Sequence, residues 1–140
     1  MAEVHDLTIA KLARASGVNR ETIRFYEARG LLAAPPRSAS GYRLYAASEA
    51  RRVRFIRVAQ ALGFTLEEIG ELLTLRSSPN GTCGAVQSKA IEKIAKIDRK
   101  IKTLSDMKAV LVEVASACDG GSAPIEECPI LSALDKRADT

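Results

Sequence analysis

The sequence predicts a mainly α-helical protein, a winged helix-turn-helix domain followed by a long helix that pairs antiparallel, as a coiled coil, with a second copy of itself. Three observations predict this. Short amphipathic stretches punctuated by Gly17, Gly30 and Gly63 fill residues 1–76. One stretch, Cys83 to Cys118, carries a heptad apolar seam with no Pro and no Gly after Gly84. Aromatic residues are only 4% of the 140, with no Trp, which suits helices packed through Ala, Leu, Ile and Val.

The elements follow in order. Thr8 can N-cap a helix through Ala15 that sets Ile9, Leu12 and Ala13 on one face, and Ser16-Gly17 ends it. Asn19 can cap a second helix that stops at Gly30; Ile23 and Phe25 are expected in its buried face. Two short helices joined by a tight Gly-containing turn form a helix-turn-helix pattern. The turn-rich Ala33–Pro36 and Ser38–Gly41 flank an extended Tyr42–Tyr45, a small β wing. Ser48 begins a third helix with Val53, Ile56, Ala59, Gln60 and Leu62 on its apolar face, broken at Gly63. Thr65-Leu66-Glu67-Glu68 is a capping box opening a fourth helix to about Leu75. The predicted boundaries are residues 1–76 for the helix-turn-helix domain, 77–82 for a connector, 83–118 for the dimerisation helix and 119–140 for a loop, a short helix and a tail.

With Cys83 at heptad position d, Ile94, Ile97, Ile101 and Leu104 form an uninterrupted seam that Leu111 extends, flanked by charged residues. Short neighbouring helices cannot cover a stripe of that length, and a second copy is the simplest cover. Cys83 and Cys118 lie on the same stripe 35 residues apart, roughly 50 Å along a helix, so one chain cannot bring both to one ion. Antiparallel pairing about Lys100 and Ile101 sets Cys83 of one chain beside Cys118 of the other, twice by symmetry. Asp119–Pro124 is a turn that lets Cys128-Pro129-Ile130-Leu131 fold back on the helix end. Three thiols converging there make a soft-metal site, whereas a single cysteine is ordinarily a small buried hydrophobe. His5, the one histidine, reads as a surface residue, and Asp119, Glu126 and Glu127 as solvated.

Charge points to the partner of the front half. Residues 1–57 hold eleven Lys and Arg against five Asp and Glu, a balance of +6, while the remainder sums to −2. A basic front on a near-neutral body suits a polyanion. No apolar run approaches the ~18 residues of a membrane span, and Met1–Leu7 lacks a signal-peptide pattern, so a cytoplasmic protein without a membrane partner is expected. In that compartment an odd number of cysteines is not a disulfide framework. No phosphate loop, metalloprotease His pair or nucleophile elbow supports an enzyme.

A family resemblance rests on the string Thr8–Ala13, Gly17-Val18, Glu21–Glu27 and Gly30–Leu32, on Gly41–Tyr45, on Val53–Ile56 through Leu62–Phe64, and on the long helix through Cys128–Leu131. It resembles the MerR family over nearly the whole chain. The resemblance implies a homodimeric regulator that binds promoter DNA with an over-long spacer and distorts it so that RNA polymerase engages both promoter elements. It places the second helix in the major groove, hence Arg20, Thr22, Arg24 and Tyr26 at base edges or phosphates. Arg37, Tyr42 and Arg43 of the wing, with Arg54 beyond it, are expected at phosphates.

The resemblance also implies a metal effector. A cysteine at position 83 marks sensors of divalent thiophilic metals, and the mercury branch uses three cysteines in this layout. The expected site takes Cys83 from one subunit and Cys118 and Cys128 from the other. Hg(II) ranks first, then Pb(II), Cd(II) and Zn(II); zinc would need Asp119 or water as a fourth ligand. The ten-residue interval from Cys118 to Cys128 is one longer than the mercury and lead types lead one to expect, and matches zinc sensors, whose extra Cys and His are Asp119 and Ala123 here. Two rival readings are a metal-buffering or metallochaperone dimer without specific DNA binding, and a repressor that senses thiol oxidation. Neither accounts for the sequence as fully.

Overall fold

The computed structural model describes residues 4–139; the first three residues of the Met1–Leu7 stretch, and Thr140, lie outside the described residues. The chain divides into two compact units, one ending at Lys93 and the other beginning at Ile94.

The first unit is built on local signals. Strand β1 (His5–Leu7) leads into α1 (Ile9–Ser16), whose N-cap Thr8 accepts a hydrogen bond from the Lys11 amide. Gly17 ends α1 at φ +72°, a left-handed conformation that favours glycine, and the Arg57 guanidinium lies close over it. Helix α2 (Arg20–Ala28) is capped by the Asn19 carboxamide. A loop containing the wing then leads to β2 (Tyr45–Ala46), α3 (Ser48–Ala61) and α4 (Leu66–Ser77). The Thr65–Glu68 capping box is fully formed at the start of α4.

The wing differs from the sequence expectation in its partner. Arg37 and Arg43 form an antiparallel bridge across the Ser38–Tyr42 turn, while Tyr45 and Ala46 pair antiparallel with Leu7 and His5. Three residues before the first helical cap carry no periodic signal of their own, so β1 is visible only once β2 is there to pair with it.

Leu12, Ile23, Tyr45, Val53, Ile56 and Ile69 are at most 1% exposed and centre the core between α1, α2, α3 and α4. Two expectations are corrected here. Phe25 is 47% exposed rather than buried, because it stands two residues, about 200° of helix, from Ile23. Leu62 is 63% exposed, since it follows the last turn of α3 and precedes the Gly63 reversal. The inward face of α3 is Ala50, Val53, Ile56 and Ala59, and Gln60 is exposed.

Helix α5 (Cys83–Ser116) is unbroken over 34 residues. Its start belongs to the first unit. There Lys93 is 6% exposed, ion-paired to Glu68 at 2.8 Å and set over the Phe64 ring, and Lys89 pairs with Glu71 at 2.7 Å. In the second unit, one turn of 3-10 helix (Ile125–Glu127) precedes α6 (Pro129–Ala138). Val114 is buried on α5 in this unit, whereas Ile94, Ile97, Ile101, Leu104 and Leu111 are all exposed. No helix among the described residues is long and apolar enough to cross a membrane.

Candidate nucleic-acid interface and thiol site

Helix α2 presents opposite faces. Inward, Ile23 and Tyr26 enter the core, and the Tyr26 hydroxyl donates to Gln60 Oε1 at 2.6 Å. Burial raises the Tyr26 pKa, with the Arg57 charge opposing. Tyr26 is 2% exposed, which corrects its expected place among groove contacts: a side chain three residues from Ile23 shares its inward face. Outward, Glu21, Arg24, Phe25, Ala28 and Arg29 are exposed. Arg20 is exposed as well, and among the described residues neither it nor Arg24 enters an ion pair. Thr22 is half-buried, and its amide and hydroxyl both donate to Asn19 Oδ1 at 2.8 Å, so its hydroxyl proton serves the cap.

The wing meets this helix. Arg24 lines one concavity with Arg37, Tyr42, Arg43, Thr8 and Ile9, so the fold brings four of the eight expected nucleic-acid residues together. Arg37 Nη1 donates to the Gly41 carbonyl at 2.8 Å, and Tyr42 stands exposed at the tip. Arg43 Nη1 donates to Glu27 at 2.7 Å, and the Tyr45 hydroxyl donates to the other Glu27 oxygen. Burial pushes the Tyr45 hydroxyl up to about 12, helped by the bond to Glu27 and its negative charge and opposed by Arg43. Arg43 therefore ties the wing to α2 as well as facing the concavity.

Arg54 is exposed, but its Nη1 donates to the Ala15 carbonyl at 2.9 Å, as Arg57 does to Gly17 at 3.1 Å. Both cations sit on carbonyls at the C-terminal end of α1, where the helix dipole favours them. Arg57 was not singled out in the sequence. Its spacing from Arg54 on one helix turn is the only signal it offers.

The cysteines fall as single thiols within the chain. Cys83 is exposed at the first residue of α5, where Thr82 Oγ1 caps the helix by accepting from the Ala85 amide. Cys118 and Cys128 are half-buried at the two ends of the loop between α5 and α6. Cys118 Sγ accepts the Gly120 amide at 3.4 Å, and Asp119 Oδ1 accepts the Gly121 amide at 2.9 Å, so Asp119 serves the turn. Among the described residues no group of three or more His, Cys, Asp or Glu gathers within one chain. The donor set itself, three thiols and no nearby imidazole, is chemistry for soft ions.

Comparison with known proteins adds to this geometry. Residues 7–75 match the MerR HTH family regulatory protein model, and residues 50–114 match the model described as MerR, DNA binding. The chain is 40% identical over 131 residues to the mercuric resistance operon regulatory protein of Pseudomonas fluorescens, 94% of this chain and 89% of that one. It is similar to a transcription regulator of Ralstonia metallidurans CH34 in complex with lead(II), with TM-score 0.83 and 36% identity, covering 91% of this chain and 98% of that one. A dual function transcriptional regulator of Bacillus megaterium MB1 in complex with mercury(II) matches with TM-score 0.71 and 33% identity, covering 92% and 98%.

Proposed function

The chain belongs to the MerR family of helix-turn-helix regulators, and on that premise we propose that it is a cytoplasmic transcriptional regulator whose homodimer senses a thiophilic divalent metal, Hg(II) first. Pb(II), Cd(II) or Zn(II) are the alternatives close behind, with zinc the lowest of them. It is not an enzyme. The observation that carries the reading is the placement of the three thiols: Cys83 opens α5, and Cys118 and Cys128 bracket the loop beyond its end. Antiparallel pairing of α5 with its copy unites the first with the partner's other two. Relatives of similar length that are named for mercury resistance, or solved with lead(II) or mercury(II), support a metal effector. Three thiolates satisfy mercury or lead without a fourth ligand, which is why zinc ranks lower.

Arg20 and Arg24 of α2, and Arg37, Tyr42 and Arg43 of the wing, hold promoter DNA at base edges and phosphates. Arg54 adds a phosphate contact beyond the wing, and the Thr22 oxygen is left as an acceptor. Regulation acts through the shape of the DNA. Bending a promoter costs of order 1–6 kcal/mol. A metal that prefers one of two DNA-bound states can supply a difference of that size, and so let RNA polymerase engage an over-long spacer. A metal-buffering dimer without specific DNA binding leaves the basic α2 face and the wing without a role.

Subunit mixing tests the site. Cys83→Ser and Cys118→Ser/Cys128→Ser homodimers should each lose tight metal binding. Their heterodimer should recover one tight metal, read by thiolate-to-metal absorption, because one end then holds all three cysteines. A heterodimer, verified by mass, that binds no better than its parents would refute the shared site.

A further inference from the structure

Phe25 is the one large apolar side chain on the outward face of α2, among Glu21, Arg24, Ala28 and Arg29. A lone exposed phenylalanine is ordinary on a protein surface. This one is held. The Tyr26 ring lies 6.3 Å away, centroid to centroid, and tilted at 45°, while the Arg29 guanidinium sits 5.7 Å over the Phe25 ring. Tyr26 is itself fixed in the core through Gln60. The ring is thus braced by a core aromatic and by a cation, and 47% of the residue still faces solvent. It adjoins Arg24, which lines the concavity shared with the wing.

We propose that Phe25 is a specificity-determining residue that packs against the C5-methyl group of a thymine in the major groove. The inference rests on the reading of α2 as the groove-entering helix. In that groove every polar edge atom can be met by Arg, Asn or Gln, but the thymine methyl is the only apolar group presented, and an apolar side chain is what reads it. Arg24 and Phe25 then divide the work, a cation for acceptor edges or phosphates and a ring for the methyl. Arg29, over the ring, adds a cation beside it that can meet the DNA backbone. Removing one buried methyl corresponds to about a fourfold loss of affinity.

The experiment uses the full-length protein and a DNA duplex enriched by it from a randomised pool. Each thymine of the enriched duplex is replaced in turn by deoxyuridine, which keeps the base pair and deletes only the methyl. Affinity is read by fluorescence anisotropy for wild type, Phe25→Ala and Phe25→Leu, all checked for the native melting temperature. The expected result is a thymine position at which loss of the methyl weakens wild-type binding about fourfold. Phe25→Ala should bind the thymine duplex more weakly and be indifferent to that methyl, while Phe25→Leu retains part of the response. Equal methyl dependence in wild type and Phe25→Ala, or no methyl dependence anywhere, would overturn the contact while leaving DNA binding intact. A pool from which no duplex is enriched would overturn the DNA-binding reading and the contact together.

Discussion

Phe25 and Tyr26 are neighbours in sequence, and the fold leaves the first exposed and buries the second. The same division of labour governs the arginines. Arg24 is exposed and outside any ion pair among the described residues, while Arg43 is held by Glu27. Arg24→Ala should therefore weaken promoter binding by about 1–3 kcal/mol and lower the salt slope by about one per cation removed, with an unchanged melting temperature. Arg43→Ala should weaken binding too, but also lower stability by about 1 kcal/mol, since it leaves the mostly buried Glu27 carboxylate with only Tyr45. Anisotropy titrations at several salt concentrations, paired with thermal melts, separate the two. Equal melting temperatures for both variants would refute the tie between wing and helix.

The same cluster sets an alkaline limit. Burial pushes the Tyr45 hydroxyl up to about 12 from the ordinary 10. The folded chain keeps this proton where the unfolded chain has lost it. Its contribution to stability is thus full below pH 10 and disappears as pH rises from 10 to about 12. Melting temperatures of Tyr45→Phe should fall less between pH 10 and 12 than those of the wild type. Parallel slopes would exclude the effect.

At the scale of elements, the joint between α4 and the start of α5 carries the most information. Lys89 and Lys93, one turn apart on α5, face Glu71 and Glu68 on α4. The Glu71 carboxylate raises the Lys89 pKa through their hydrogen bond. Lys93 is the buried member, and Glu68 also closes the capping box by accepting from the Thr65 amide at 2.8 Å. Gly81 completes the joint: a Cβ there would fall 2.3 Å from the Leu75 carbonyl oxygen. Lys93→Met keeps the aliphatic stem over Phe64 but takes the buried cation away from Glu68. It should cost about 2–3 kcal/mol in urea unfolding, because removing the cation of a mostly buried ion pair loses their attraction without returning the carboxylate to water. Lys89→Met, at an exposed pair, should cost little. Equal losses for the two would refute the distinction drawn from burial.

At the scale of the whole molecule, the seam of α5 is the surface on which the proposed dimer rests. Ile94, Ile97, Ile101, Leu104 and Leu111 are 38–62% exposed in the single chain, a stripe of apolar surface that a second copy would cover. Ile101→Asp, at the centre of that seam, would bury two like charges. It should weaken the dimer by roughly 3 kcal/mol or more. Sedimentation at micromolar concentration should find dimer for the wild type and monomer for the variant. A wild type that sediments as a folded monomer would refute the assembly and the shared thiol site together.

What the sequence determined by itself is what depends on neighbours along the chain. Thr8, Asn19 and the Thr65–Glu68 box mark helix starts because a cap is satisfied within three residues. Gly17 marks a stop through its own φ, and the Ile94–Leu104 seam, in a stretch with no Pro and no Gly after Gly84, declares a long helix. The three thiols are legible in the sequence as residue types of soft-donor chemistry, while their convergence on one ion belongs to the proposed dimer. Tertiary structure decided what depends on partners far along the chain. Whether Phe25 or Tyr26 is buried turns on where α3 lies, since Gln60 receives the Tyr26 hydroxyl. Strand β1 exists only against Tyr45 and Ala46, and the Arg43 and Arg54 guanidiniums meet Glu27 and Ala15 only after folding. A cap carries its hydrogen-bond partner with it in sequence, whereas burial and ion pairing are properties of surfaces that do not exist until the chain has closed on itself.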